Sequence, residues 1–317
     1  MAGPIDVKIL GGGQNWMAVC CRIAIGLNGY YSPLPAGSSV SVTTREPGSN
    51  CFEAPVRVSR GEFHMAITTP FWVGKLAAEG RSPFSEQLPL ASLAGFAHED
   101  QLVFAIRRET GITSIRDIKD KKYPLKVSMP LRETRHPAVW CAEQVLSEYK
   151  FSLDDIVSWG GTVLRDRPRN QKLPGVAPVS DDFDAVFDEA IMTNRWKNLT
   201  SNYDLRFLSI DEDVMRRLEA KGLARGVLRK GSLRGVDEDV RGIDFSGWYL
   251  FCRQDMDEDL AYLTIKAIDD QKNLIDEWFN SPASGMTAQV NMRSLAHGLP
   301  LPLHPGAERY YREKGYL

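Results

Sequence analysis

Val7-Lys8-Ile9-Leu10 alternates and then stops at Gly11-Gly12-Gly13, which predicts a short strand entering a tight loop. From Asn15 the period changes. Trp16, Val19, Cys20, Ile23, Ala24 and Leu27 recur three and four apart, so a helix follows with Asn15 as its expected N-cap. Residues 29–39 are turn-rich, 40–44 are β-branched and predict a second strand, and a helix is expected after Ser49-Asn50. Residues 63–69 read as a third, wholly apolar strand. Strands alternating with helices in this way argue for a mainly parallel sheet covered on both faces.

Residues 102–106 (LVFAI) predict the next strand, followed by a capped helix over 114–120, a strand over 126–129 that ends at Pro130, and a helix from 136 or 137 to 149. Residues 183–187 have buried character, and 211–221 form a helix that starts with acids and ends with bases, as the helix dipole favours. Residues 248–252 (WYLFC) repeat the pattern of 102–106 and lead into a long amphipathic helix over 257–279. Two such apolar strands far apart in sequence suggest two crossings between lobes. The Pro-, Gly- and Arg-rich segments 165–180 and 224–242 read as loops.

A length of 317 residues exceeds one ordinary domain and suits two lobes. The chain is 43% apolar and 25% charged, which excludes a disordered polypeptide. Lys plus Arg (39) and Asp plus Glu (41) leave a net charge of -2, without the basic excess expected of a nucleic-acid partner. No run of apolar residues is long enough for membrane insertion. The first residues lack a basic segment followed by an apolar one, so the sequence as written suggests the cytoplasm, or the periplasm if it is a trimmed mature form. Five cysteines without metal or disulfide spacing read as reduced, partly buried thiols.

Three helix starts are candidate anion sites, because exposed N–H groups there attract carboxylates. They are Gly13-Gln14-Asn15, Ser49-Asn50 after Gly48, and Thr68-Thr69 closing the third strand. Each is equally a plain structural turn. Trp16 stands where a dinucleotide fingerprint would place its third glycine. The densest polar patch is PLRETRHP, residues 130–137, where Arg132 or Arg135 could grip a carboxylate bidentately. A solvated, self-paired cluster is the competing reading. Asp184, Asp188 and Glu189 flank an apolar strand and read foremost as solvated acids; His64, within an apolar run, reads as a satisfied core histidine. Cys20 or Cys51 with His64 or His136 could form a nucleophilic site only if the fold brings them together. No zinc spacing, Walker loop or nucleophile elbow is present.

The C-terminal stretch Gly298-Leu299-Pro300-Leu301-Pro302-Leu303-His304-Pro305-Gly306-Ala307-Glu308-Arg309-Tyr310-Tyr311-Arg312-Glu313-Lys314-Gly315 closely resembles the ending of the TAXI family, the solute-binding receptors of one branch of TRAP transporters. Residues 10–15 resemble that family's first glycine loop, Gly48-Ser49-Asn50 its second helix start, 60–67 its third strand with His64 in place of the usual Asp, and 183–187 its Asp-Ala-Phe strand. The resemblance implies an α/β, two-lobed type II periplasmic-binding-protein fold, each lobe a mainly parallel sheet flanked by helices, with the ligand cleft between lobes. Lobe 1 would comprise 1–106 and 247–317, with 107–246 inserted as lobe 2. It also implies a small organic anion, typically a carboxylate, as ligand. Gly13, Gln14, Asn15, Ser49, Asn50, Thr68 and Thr69 would hold it from lobe 1. Ser128, Arg132, Thr134, Arg135 and His136, which occupy the place of the family's Gly-Ser-Gly-Thr loop, would hold it from lobe 2. No cofactor or metal is implied, and an exported chain would work with TRAP membrane subunits.

Departures from the family keep an alternative open. The second-lobe loop has lost its glycines and gained Arg132, Arg135 and His136, Trp16 crowds a position usually small, and no Pro-Ala-Gly-Thr-Tyr segment is recognisable in 224–245. Enzymes on the same scaffold decarboxylate or desulfinate aromatic acids. The alternative is thus a cytoplasmic, cofactor-independent lyase or hydrolase of an organic acid, in which an arginine binds the acid group and His136, His64 or Cys51 moves the proton.

Overall fold

The computed structural model describes residues 3–29, 33–44, 47–130, 136–164, 182–284 and 288–317, apart from the side chains of Gln14 and of residues 47–50. The chain begins with β1 (Asp6–Leu10), α1 (Gln14–Asn28), β2 (Ser39–Thr43), α2 (Pro47–Ser59), β3 (Met65–Thr68), α3 (Phe71–Glu79) and β4 (Leu90–Phe96). It continues through β5 (Gln101–Arg107), α4 (Ile115–Asp120), β6 (Lys126–Ser128), α5 (Pro137–Glu148), α6 (Leu153–Ser158), β7 (Thr162–Leu164) and β8 (Ala185–Asp188). Then follow α7 (Asn194–Asn202), β9 (Leu205–Leu208), α8 (Glu212–Ala220), β10 (Arg225–Leu228) and β11 (Val240–Asp244). The last elements are β12 (Trp248–Arg253), α9 (Glu258–Phe279), α10 (Met292–Leu295) and α11 (Pro305–Glu313). Two compact units result: Met1–His98 with Ser246–Leu317, and Glu99–Phe245.

In the first unit the strand order is β2-β1-β3-β12-β4. β1 pairs in parallel with β2 and β3, whereas β12 runs antiparallel to both β3 and β4. The returning chain therefore supplies a central strand, and without it β4 would have no partner linking it to β3. β3 is buried at every position, as a strand covered on both faces must be. α1 buries Val19, Cys20, Ile23 and Leu27, and α9 buries Leu260, Ala261, Ile265 and Ile268, both at the helical period. The two helices approach closely at Gly26, where a Cβ would stand 2.6 Å from that of Ala267. Any side chain there would force the helices apart.

The second unit holds a seven-stranded sheet ordered β10-β11-β5-β8-β6-β7, with β9 also pairing with β5. β6 lies parallel to β7 and β8, while β5 is antiparallel to β8, β9 and β11. The two-unit α/β class holds, but this sheet is mixed rather than mainly parallel.

Other differences have clear causes. The N-cap of α1 is Gly13, not Asn15, so Asn15 already lies inside the helix. Residues 102–106, expected in the first lobe, belong to the second unit because β5 finds all its pairing partners there. Residues 224–242, expected as loop, contain β10 and most of β11. Their glycines serve close packing: a Cβ on Gly226 would meet the Gln101 side chain at 1.5 Å, and one on Gly242 the Leu102 carbonyl at 2.5 Å. Arg225, which reads as a loop charge, is fixed by Glu212 and Glu219 at 2.8–3.1 Å.

Candidate functional site

In open α/β sheets ligands bind beyond the carboxyl ends of the strands, where the strand order reverses. In the first unit that reversal falls between β1 and β3, because the chain runs outward from β1 to β2 and then returns to the far side of β1. The residues there are Gly11–Gly13 after β1 and Thr68-Thr69 at the end of β3. The Gly11 N–H donates to the Thr43 carbonyl (2.8 Å), and the Gly13 carbonyl accepts from Met17 (2.9 Å), which starts α1. The first N–H groups of α1 have no partner within the helix and point out of its N-terminus.

The structure gives several of the expected ligand residues other work. Asn15 accepts from the Trp278 indole N–H (2.8 Å) and donates to the Ser284 carbonyl (3.1 Å), so its amide fastens α1 to α9. Thr68 is fully buried, and its hydroxyl donates to the Cys51 carbonyl (3.0 Å). The Thr69 hydroxyl, half-buried, donates to the Gly247 carbonyl (3.0 Å), beside the point where the chain re-enters this unit. Cys51, in the second turn of α2, is buried. Ser49 and Asn50 lie in the first turn of α2 and Gln14 in that of α1, but their side chains fall outside the description. Thr68→Val is expected to cost about 1 kcal/mol of stability, the worth of one net hydrogen bond, and to leave ligand binding unchanged; urea unfolding and calorimetry check both.

His64 is a clear correction. It precedes β3 whereas Thr68 ends it, which puts the two at opposite ends of the sheet, about 13 Å apart along the strand. His64 therefore cannot share chemistry with groups at the strand ends. Nor does burial favour a cysteine nucleophile: it pushes the thiols of Cys20, Cys141 and Cys252 well above their ordinary value, against formation of a thiolate.

The second unit collects a denser set at the carboxyl ends of β6 and β8. Ser128 closes β6 and is fully buried. Arg132, Thr134 and Arg135 lie outside the described residues. His136 caps α5: its Nδ1 accepts from the Ala138 N–H (3.1 Å), which leaves the proton on Nε2, 4.0 Å from the Glu189 carboxylate. Asp188, the last residue of β8, is fully buried and 3.1 Å from the Arg195 guanidinium. Arg195 also donates to the Glu189 carbonyl (2.6 Å), as does the Trp196 indole (2.7 Å).

Asp100 lies beneath this loop, buried, and accepts from the N–H groups of Gln101 (2.7 Å), Ile191 (2.8 Å) and Ala190 (3.1 Å). It holds Ala190 at a φ of 60°, in the left-handed region that a non-glycine residue rarely takes. Burial and the nearby Glu189 carboxylate push Asp100 above the usual carboxylate range, against the pull of the three N–H donors. Asp188 is therefore not a solvated acid. Arg195 and Asp100 carry no periodic or motif signal, since each matters only through partners on another element.

A family model described as NMT1-like matches residues 184–315. No curated protein matches the chain. Among solved structures, one titled as that of a periplasmic transporter is 12% identical over 99% of this chain and 95% of its own, with a TM-score of 0.46. The glycine betaine/L-proline-binding protein ProX of Borrelia burgdorferi is 11% identical over 86% of this chain and 96% of its own, with a TM-score of 0.43. The alkanesulfonate-binding protein SsuA of Xanthomonas axonopodis pv. citri is 11% identical over 98% of this chain and 85% of its own, with a TM-score of 0.39.

Proposed function

We propose that the chain is a solute-binding protein that takes a small organic anion, a carboxylate in the first instance, and that it is of the TAXI type its C-terminal stretch resembles. The observation that carries this reading is the Asp188–Arg195 pair at the carboxyl end of β8. A buried ion pair is poor value as a stabiliser, because desolvation offsets the attraction. A guanidinium held in place by a buried carboxylate is instead a preorganised anion receptor. The glycine loop and the start of α1 supply N–H donors suited to the same ligand class.

Calorimetry and thermal shift against a panel of mono- and dicarboxylic acids test the proposal. Saturable stabilisation by at least one acid, and not by its primary amide, is expected. Absence of stabilisation by every acid, with turnover of one of them, would replace the receptor with an enzyme. TRAP membrane subunits are the partners this reading calls for, and fractionation of the native protein outside the cytosol is its cellular counterpart.

The enzymatic reading, a cofactor-independent lyase or hydrolase of an organic acid, keeps one observation of its own. The His136 tautomer is set by its capping bond and its Nε2–H lies near Glu189, an arrangement able to move a proton. His136→Gln separates the two readings: loss of turnover with binding retained supports the enzyme, and unchanged or weakened binding without any turnover supports the receptor.

A further inference from the structure

The first unit's sheet has two edges, and the chain treats them differently. At β4 the edge is closed: Ser92 bridges to Leu303, its N–H donating to the Pro302 carbonyl (2.8 Å) and its carbonyl accepting from the His304 N–H (2.9 Å). At β2 the sheet stops, with β1 as the strand's partner and no other among the described residues. Natural proteins blunt such an edge with a lysine, a proline or a bulge. β2 reads Ser39-Val40-Ser41-Val42-Thr43: it holds no charge and no proline, and it pairs with β1 in unbroken register along its whole length.

The direction of its backbone groups follows from that register. The Ser39 N–H donates to the Ile5 carbonyl (3.0 Å), and the Thr43 carbonyl accepts from the Gly11 N–H (2.8 Å), one just before and one just after the paired residues of β1. Orientation alternates along a strand. Ser39, Ser41 and Thr43 therefore turn their N–H and C=O groups to β1, and Val40 and Val42 turn theirs outward. The side chains alternate too: Ser39, Ser41 and Thr43 are exposed, whereas Val40 and Val42 are half-buried against the core of the unit.

This segment is complementary to itself. Turned about a two-fold axis through Ser41, β2 runs antiparallel to its own copy. Val40 then stands opposite Val42 of the second copy, where the two exchange their outward N–H···O=C bonds, and Ser41 stands opposite Ser41 in the intervening non-hydrogen-bonded pair. Valine meets valine on the core side, and serine meets serine or threonine on the solvent side. The charges of Asp6 and Lys8 lie one strand further in, on β1, and a net charge of -2 sets up little repulsion between copies. We propose that β2 is a dimer interface, through which two copies of this chain join into one continuous sheet. The two-fold contact occupies the β2 edge of both copies and the β4 edge is already closed, so association stops at two.

Sedimentation velocity of the full chain over roughly 1 µM to 1 mM, the range in which small interfaces associate, tests this. A concentration-dependent shift from monomer to dimer is expected, without larger species. Ser41 is exposed and lies on the axis, so Ser41→Lys sets two ammonium groups face to face in the dimer, each beside Lys8. It should weaken association several-fold or more, while thermal unfolding of the diluted variant stays that of the parent. Ser41→Glu should weaken association less, because Lys8 neighbours the new carboxylate. An equimolar mixture of the two variants should associate more tightly than either alone, since each introduced charge then faces its opposite. That recovery is peculiar to a contact in which position 41 meets itself. The proposal is overturned if the parent stays a monomer throughout, if larger oligomers form, if both variants associate as the parent does, or if the mixture is no tighter than the separate variants.

Discussion

Asp188→Ala is expected to lower the unfolding free energy by about 3 kcal/mol, the lower end of the range for leaving one partner of a buried ion pair alone. Asp188 is wholly enclosed while the Arg195 side chain keeps 19% of its surface, so the abandoned guanidinium regains some water. That partial exposure sets the lower figure. Adding Arg195→Gln to Asp188→Ala should then cost less than about 1 kcal/mol more, because the uncompensated charge has gone with its partner. Urea unfolding of the two single variants and the double variant closes the cycle; strictly additive losses would show that the two residues do not act as a pair. Arg195→Gln alone carries the functional half of the argument. It should weaken binding of any carboxylate that stabilises the native protein and affect the corresponding amide much less.

The helices that bury one stripe were the most legible part of the chain. α1, α5, α8 and α9 follow the three-and-four spacing, and the acids at the start of α8 and α9 mark where each begins. Extents were harder to read where pairing rather than pattern sets them. β5 looks in sequence like the last strand of the first lobe, yet its partners β8, β9 and β11 all come much later, and they decide which unit owns it. β10 and β11 hide behind arginines and glycines, because the arginine charges are neutralised on α8 and the glycines admit neighbouring backbone.

The strand ends were legible, but the work of the side chains there was not. A glycine loop after a strand and a polar loop before a helix mark carboxyl strand ends, and the structure puts Gly13, Thr69 and His136 at such ends. What each side chain does there depends on distant partners. The Asn15 amide is committed to Trp278 and Ser284, and the Thr68 hydroxyl to Cys51, none of which local spacing can announce. His64 shows the reverse: it reads as a core residue from the apolar run around it, yet the run is buried from Met65 onward while His64 stays half-open at the strand's start.

The C-terminal stretch that carries the family resemblance is expected to prove scaffold and not ligand site, and Gly306→Ala tests that directly. His304 is buried and caps α11 by accepting the Gly306 N–H (3.3 Å), while its own N–H donates to the Ser92 carbonyl of β4 (2.9 Å). The Tyr311 hydroxyl donates to the Leu93 carbonyl (3.1 Å), and that of Tyr310 to the Asp269 carboxylate on α9 (2.8 Å). α11 thus ties edge strand β4 to the long helix α9, and Gly306 is where α11 touches the start of α9: a Cβ there would lie 2.0 Å from the Glu258 carbonyl oxygen. Backbone cannot yield as a side chain does, so the added methyl must push the helices apart. Overpacking of this kind costs about 2–3 kcal/mol, more than the alanine gains in helix propensity. Thermal unfolding should show that loss, while the affinity of the folded variant for an organic anion stays that of the parent. A variant that keeps full stability but loses the anion would instead make this stretch part of the binding site.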